Sequence, residues 1–158
     1  MDTTRPLADG SSSVEAETRL IQDFFNALNA QDDAALLATL HPSIEYRFYI
    51  HGFEPVIGHQ AMVEALHTIH AIFPDFHEEL LTLRIAEGLG AAGWRISGSL
   101  AGPFPLPEGF AVPDQPQPTV LVEGVDVFEI QDGLIARKDT YADPTPWYQA
   151  YAPLLEHA

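Results

Sequence analysis

The sequence contains no cysteine among its 158 residues. Disulfide bridges, thiolate nucleophiles and cysteine-ligated zinc or iron–sulfur centres are therefore excluded. Basic residues are also scarce, because seven Lys plus Arg stand against 23 Asp plus Glu, for a formal net charge of −16. So acidic a chain has little with which to displace counterions from phosphates, which argues against nucleic acid and anionic membranes as partners. Lys138 is the only lysine.

Long apolar runs are missing as well. No stretch approaches the roughly 18 apolar residues that a membrane span needs, and the first 13 residues, MDTTRPLADGSSS, hold no apolar signal region, so we expect a cytoplasmic protein. The sequence also lacks G-x-S-x-G, G-x-x-x-x-G-K-[ST] and G-x-G-x-x-G motifs. These absences leave chemistry without a cofactor as the enzymatic option, and we expect neither a cofactor nor a metal.

The residues that are present predict one domain. With 46% hydrophobic residues the chain has enough apolar content for a core, and we assign residues 1–13 to a mobile tail and 14–158 to a single domain. Apolar residues at three- and four-residue spacing predict a helix from Val14, and Asp32 or Asp33 is suited to cap a second helix that ends at His41-Pro42.

Strand patterns dominate the second half. Aromatic and β-branched residues predict a strand at 44–50, a helix follows from 59 to 73, and four strands are predicted at 76–87, 91–100, 119–131 and 134–143. The segment 101–118 contains six prolines and is predicted to be a surface loop or lid, from which Phe104, Leu106 and Phe110 would contact a ligand. Helices first and antiparallel strands later indicate an α+β fold with the helices on one face of the sheet.

Four segments carry a resemblance to a known family: AQDDAALLATLHPSIEY, VIGHQAMVEAL, GWRISGSLAGPF and VEGVDVFEIQDGLIARKDTYADP. Together they resemble the SnoaL-like and ketosteroid-isomerase-like branch of the nuclear transport factor 2-like superfamily. The resemblance implies a cone, in which a curved antiparallel sheet wraps around the N-terminal helices and leaves a central apolar pocket. It also implies a homodimer. Members include polyketide cyclases, ketosteroid isomerases, epoxide hydrolases and dehydratases, so the fold alone does not choose a reaction.

The isomerases of this branch use a carboxylate base on the first strand, a tyrosine on the first helix and a protonated Asp on the third strand of the meander. The resemblance places Tyr46 at the position of the base and Phe24 at the position of the tyrosine. Asp126 alone falls on an acidic position of the pattern. The usual proton shuttle of a steroid isomerase is therefore disfavoured.

The epoxide hydrolases and cyclases give a similar comparison. Where the hydrolases have Arg-x-Asp, this chain has Arg95 followed by Ser97, and a serine cannot replace a carboxylate as an acid or base. Counting from Gly133 places Thr140 where their last catalytic Asp stands, with Asp139 one residue early. Because side chains alternate across a strand, Asp139 reaches the pocket only if a bulge restores its direction.

Strand alternation also identifies a candidate acid without the family. One face of residues 120–130 is apolar except for Asp126. A lone acid on an apolar face needs a partner, and we expect Arg95 on the neighbouring strand to supply it, either in a functional site or as a structural ion pair.

These patterns lead to a functional hypothesis. The chain is expected to be a SnoaL-like enzyme that cyclises or isomerises an apolar, carbonyl-bearing small molecule, with Asp126 or Asp139 as the base and with Tyr46 and Arg95 polarising oxygen. The residues expected to bind substrate are Phe24, Phe48, Phe128, Trp94 and Thr140. The alternatives are a non-catalytic small-molecule-binding protein and a dimerising scaffold that uses the outer face of the sheet.

Overall fold

The computed structural model describes residues 10–49, 54–101, 118–147 and 149–150. In these ranges it contains the helices α1 (Gly10–Ala30), α2 (Asp33–Thr39) and α3 (His59–Ile72), and residues 145–147 and 149–150 are helical as well. Six strands accompany them: β1 (Leu40–Phe48), β2 (Val56–Ile57), β3 (His77–Ala86), β4 (Leu89–Ser99), β5 (Thr119–Gln131) and β6 (Leu134–Ala142). None of the described helices combines the length and apolar character that a membrane crossing requires. The predicted α+β class and element order are confirmed, apart from the short β2.

Helix α1 is amphipathic, as its sequence predicts. Its buried stripe includes Ile21, Phe24, Phe25 and Leu28, which recur at three- and four-residue spacing and pack into the core. The helix begins at Gly10, so residues 10–13 of the expected tail belong to α1, whereas residues 1–9 lie outside the described part of the chain.

Helix α2 begins and ends through local hydrogen bonding. The Asp32 side chain accepts a hydrogen bond of 3.0 Å from the backbone N–H of Ala35, which confirms the predicted cap. The helix ends at Thr39, earlier than the prediction, because Leu40 already has extended dihedral angles. His41 therefore belongs to β1 and not to the end of a helix.

The strands form one curved sheet with the order β2-β1-β6-β5-β4-β3. Every neighbouring pair is antiparallel except β1 and β6, which run parallel. The predicted curved antiparallel sheet is thus confirmed, with one parallel pair, for which α3 and the other strands provide the long crossover that parallel strands need. Register shifts at Leu80/Thr82 and Glu129/Ile130 interrupt the pairing on either side of the meander.

The helices and the inner face of the sheet enclose the core. Strand β5 shows the predicted alternation, with Val120, Val122, Asp126 and Phe128 buried on the inner face. The proline-rich segment 102–117, including Phe104, Leu106 and Phe110 of the predicted lid, lies outside the described residues.

Candidate functional site

A cavity of about 270 Å³ lies between the inner face of the sheet and helices α1 and α3. Its volume is near the lower end of small-molecule sites, which span about 300–1,000 Å³. Most of the wall is apolar, and Met62, Leu66 and Ile69 of α3 form part of it. These residues recur at three- and four-residue spacing, so one face of α3 supplies a continuous apolar surface.

Few polar side chains reach this cavity. Among the described residues that line it, the charged side chains are Glu54, Glu78 and Lys138, with hydroxyl groups from Tyr46 and Thr140 close by. An apolar site with a small number of convergent polar groups is the usual form of a small-molecule site.

Strand alternation brings Lys138 and Thr140 into the cavity together. The two residues are separated by one position on β6, so their side chains share a face, and both line the cavity. Across the pairing with β5, Thr140 lies opposite Asp126 and Lys138 lies opposite Phe128. In β1, Tyr46 pairs with Lys138 and projects from the neighbouring strand.

Lys138, Asp126 and Thr140 form a closed triangle of polar contacts. Lys138 Nζ lies 2.8 Å from Asp126 Oδ2 and donates a hydrogen bond of 2.8 Å to Thr140 Oγ1. Thr140 Oγ1 in turn donates a hydrogen bond of 2.6 Å to Asp126 Oδ1. Asp126 is fully buried behind the other two residues. The triangle therefore holds one positive and one negative charge in direct contact.

This contact fixes the charge of the lysine. Burial is the largest single influence and opposes protonation of the ammonium group, but Asp126, Tyr46 and Glu78 together outweigh it, with Asp126 contributing most, and the pKa of Lys138 lies above its ordinary value. The ammonium also lies 4.6 Å from the ring centroid of Tyr46 and 5.8 Å from that of Phe24, at cation–π distances. Lys138 is therefore a permanent cation of the cavity wall and not a nucleophilic amine.

Glu78 on β3 is the second ionisable group of the cavity. Desolvation by burial raises the pKa of Glu78 to about 8, with a further increase from the charge of Asp126 and an opposing decrease from Lys138. A carboxyl group with this pKa carries its proton below pH 8 and releases it above. Glu78 can therefore both accept and donate a proton near neutral pH.

The backbone of Glu78 is held in place by Asn29 at the end of α1. Asn29 Nδ2 donates to the carbonyl oxygen of Glu78, and the N–H of Glu78 donates to Asn29 Oδ1, each at 2.8 Å. Strand β3 is at the edge of the sheet that the described residues form, so no described strand is available to bond with these backbone groups on that side. The Asn29 amide takes the place of a neighbouring strand at this point.

Tyr46 contributes a phenol to the same group of side chains. Desolvation raises the pKa of Tyr46 above its ordinary value, although the charge of Lys138 acts in the opposite direction. The hydroxyl therefore stays protonated near neutral pH and is available as a hydrogen-bond donor.

Two expectations for Arg95 are corrected by the register of β4. Arg95 is adjacent to the inward-facing Trp94, so its side chain lies on the outer face, 2.7 Å from Glu123 and 3.6 Å from Glu79. The expected ion pair between Arg95 and Asp126 is wrong, because Lys138 is the partner of Asp126. Arg95 consequently has no access to the cavity from which to polarise a substrate oxygen.

Asp139 also lies away from the cavity. It alternates with Lys138 and Thr140 along β6 and forms an ion pair of 2.8 Å with Arg137 on the opposite face. The register is continuous here, and no bulge turns Asp139 inward. Its assignment as a candidate base is therefore corrected, whereas Thr140 lies in the cavity wall.

The expected substrate-binding residues divide into two groups. Phe24, Phe48 and Trp94 line the cavity together with Thr140. Phe128 does not line it: its ring is fully buried in edge contacts with Phe24 and with a neighbouring phenylalanine of α1. Asp126 lies behind the cavity wall and contacts the cavity through Lys138 and Thr140.

Sequence reasoning missed Glu78 and Lys138. Lys138 could have been identified as the only lysine in the chain, on the same strand face as Thr140. Glu78 gives a weaker signal, because it stands between two other polar residues at the start of β3. Within the described ranges, no group of three or more His, Asp or Glu side chains is arranged to hold a metal ion.

Comparison with solved structures supports this architecture. A structure from Jannaschia sp. CCS1, whose name assigns it provisionally to the SnoaL-like polyketide cyclases, is 18% identical with a TM-score of 0.73, and the match covers 95% of this chain and 96% of that one. TsrD from Streptomyces laurentii is 24% identical with a TM-score of 0.69, over 86% of this chain and 94% of that chain. At these identities the likeness concerns the fold.

A third solved structure is an LEH-like epoxide hydrolase of M. tuberculosis, which is 17% identical with a TM-score of 0.67, over 90% of this chain and 94% of that chain. No protein of curated function matches the sequence. The model of the SnoaL-like domain, in contrast, matches residues 21–138, which include the cavity-lining strands β1, β3 and β4 and the second half of α1. The chain therefore belongs to the family of SnoaL-like domains.

Proposed function

We propose that the chain is a cofactor-independent enzyme that moves a proton on an apolar, carbonyl-bearing small molecule. In this proposal Glu78 accepts and returns the proton, Lys138 and Tyr46 polarise the carbonyl oxygen, and the apolar wall binds the rest of the substrate. Glu78 and Lys138 thus take the roles that the sequence analysis assigned to Asp126 or Asp139 and to Arg95.

One observation supports the proposal above all others: a carboxyl group with a pKa of about 8 and a permanent ammonium group line the same apolar cavity. Near neutral pH a fraction of Glu78 is ionised and can remove a proton from the carbon next to a carbonyl. The electron pair of that C–H bond forms the enolate, whose oxygen gains negative charge. Lys138 stabilises this charge, and its position in a mainly apolar wall strengthens that electrostatic effect.

The fate of the enolate decides between two reactions. If Glu78 returns the proton to another carbon of a conjugated substrate, the product is an isomer. If the enolate carbon attacks a second carbonyl of the same molecule, a new C–C bond closes a ring, and the second oxygen takes the proton. Epoxide hydrolysis is disfavoured, because Ser97 and Thr140 stand where the related hydrolases have carboxylates to activate water.

Deuterium exchange tests the proton transfer directly. We expect the protein to speed incorporation of deuterium next to the carbonyl of uncharged aromatic ketones such as 2-acetonaphthone in D₂O, followed by proton NMR. Glu78→Gln removes the base and should abolish the acceleration, and Lys138→Met should reduce it by about 10²-fold or more. Asp139→Asn, on the outer face, is the matched control and should retain full exchange.

The second candidate function is non-catalytic binding of a small molecule. It is favoured by the preponderance of apolar side chains among the described residues that line the cavity. Under this alternative, aromatic ketones bind, but no ketone exchanges faster than in buffer, and Glu78→Gln changes nothing except affinity. That result would reject the enzyme.

A further inference from the structure

Acidic groups outnumber basic groups among the described residues around the cavity. Lys138 is the only basic side chain among the described residues of the cavity wall, and its ammonium is already in contact with the carboxylate of Asp126 at 2.8 Å. Beyond this pair, the other ionisable carboxyl groups of the wall are Glu54 and Glu78. The described part of the cavity wall therefore carries no surplus positive charge.

We propose that Asp126 sets the ligand class of the cavity: by neutralising Lys138, it selects uncharged apolar molecules with a hydrogen-bond-accepting oxygen and excludes carboxylates of the same shape. This inference rests on the cavity being the ligand site of the proposed function. It goes further in assigning a specificity-determining role to a residue that does not itself line the cavity.

The hydrogen-bonding capacity of Lys138 explains why an uncharged oxygen is accepted. An ammonium group has three N–H donors. That of Lys138 donates to Thr140 and contacts the carboxylate of Asp126, and the nearest aromatic ring among the described residues is that of Tyr46 at 4.6 Å. A carbonyl or ester oxygen is a better partner than an aromatic ring, so such a ligand gains a charge-assisted hydrogen bond.

Binding of a carboxylate ligand is opposed by desolvation and by the nearby negative charge. Moving an anion from water into an apolar cavity carries a large desolvation cost, which only a free countercharge can offset. Here the countercharge of Lys138 is already shared with Asp126, and the ligand would add a second negative charge beside it. The net charge of −16 on the whole chain further opposes the approach of an anion.

Binding of two matched probes tests the proposal. Methyl 2-naphthoate and 2-naphthoate share one aromatic frame and differ in charge, and their dissociation constants can be measured by calorimetry at pH 7. We expect the unmodified protein to bind the ester at least about tenfold more tightly than the carboxylate, a ratio that corresponds to about 1.4 kcal/mol.

Asp126→Asn should invert this preference. Asn keeps an oxygen that can accept the hydrogen bond from Thr140, but it removes the countercharge, so Lys138 becomes available to an anion. We expect the carboxylate to gain about tenfold or more in affinity and the ester to change little. Glu123→Gln is the matched control, since it removes the same formal charge from the outer face and should leave the ratio unchanged.

A double variant covers the possibility that a lone buried ammonium prevents folding. Asp126→Asn with Lys138→Met removes both charges together, and we expect weaker ester binding with no gain for the carboxylate. The proposal is overturned if the unmodified protein binds the carboxylate as tightly as the ester or binds neither probe. It is equally overturned if folded Asp126→Asn gains no carboxylate affinity, or if the double variant gains it.

These readouts measure binding and not turnover. Selective binding of the ester without any deuterium exchange would reject the proposed enzyme and retain the role of Asp126. Deuterium exchange without charge-selective binding would retain the proposed enzyme and reject the role of Asp126.

Discussion

The buried carboxyl group of Glu78 makes the stability of the protein depend on pH in a predictable direction. Glu78 is 4% exposed in the folded protein, where its pKa is about 8, compared with 4.5 for the solvated group. Between these two values the unfolded chain loses the proton while the folded protein keeps it. The contribution of Glu78 to stability is therefore fully present below pH 4.5 and is lost as the pH rises towards 8.

The size of this loss follows from the two pKa values. Each pH unit within the window lowers the free energy of unfolding by up to about 1.4 kcal/mol, which sets an upper bound of about 5 kcal/mol between pH 4.5 and 8. Glu78→Gln replaces the carboxyl group with a neutral group of similar shape. The variant should therefore match the unmodified protein near pH 4.5 and exceed its stability increasingly up to pH 8.

Urea denaturation of both proteins at several pH values between 4.5 and 8.5 measures this difference. Subtracting the two free energies of unfolding removes the contributions of all other titrating groups. Glu79→Gln is a suitable control, because Glu79 is the exposed neighbour on the outer face of the same strand. Parallel pH profiles for Glu78→Gln and the unmodified protein would refute the assignment of Glu78 as a protonated buried acid.

Three further substitutions test the supports of the site. Lys138→Met leaves the buried carboxylate of Asp126 without a countercharge and should cost about 3–5 kcal/mol of stability in urea; adding Asp126→Asn should recover much of that loss, and no recovery would contradict the pairing. Asn29→Ala removes two hydrogen bonds to the backbone of Glu78 and should lower the free energy of unfolding by about 1–3 kcal/mol. It should also shift the pH midpoint of ketone exchange, whereas a purely structural role of Asn29 would leave that midpoint unchanged. Asp32→Ala removes the cap of α2 and should lower the free energy of unfolding by about 1 kcal/mol without changing ligand binding, whereas Asp32→Asn should retain most of the stability.

Much of the fold could be predicted because local patterns determine it. The bounds predicted for β5, 119–131, coincide with those of the structure, since period-two burial and the Asp132-Gly133 turn define the strand. Both turn residues have positive φ angles, of 53° and 76°, as a tight hairpin connection requires. Asp126 was likewise identified from the alternation of β5 alone, because no other residue on its inner face is charged.

The partner of Asp126 could not be predicted from the same pattern. Two neighbouring strands flank β5, and a choice between Arg95 on one and Lys138 on the other depends on register across the sheet. An offset of one residue reverses the face on which a side chain lies, so Arg95 faces outward while Lys138 faces inward. Such a difference arises from long-range pairing and not from local sequence.

The inward orientation of Glu78 could not be predicted from the sequence because β3 contains a bulge. At the start of β3 the buried positions are even-numbered, but after the register shift between Leu80 and Thr82 the partly buried positions are Leu83 and Ile85. Extending the stronger apolar pattern of Leu83 and Ile85 backwards would place Glu78 on the solvent side. A bulge shifts the alternation of buried and exposed positions by one residue, and the pattern of a single sequence does not reveal such a shift.

Thr140 explains how one cation and one buried carboxylate can line a mainly apolar cavity. A hydroxyl group both donates and accepts, so Thr140 bonds to Asp126 and receives a bond from Lys138 without adding charge. A carboxylate at this position would give Lys138 a second anion and would leave the cavity negatively charged. With a hydroxyl there, the charges of Lys138 and Asp126 cancel, while Glu78, with a pKa of about 8, holds a proton that can move near neutral pH. A hydroxyl group at position 140 therefore allows Lys138 and Asp126 to remain in contact at the cavity wall without adding a third charge to the pair.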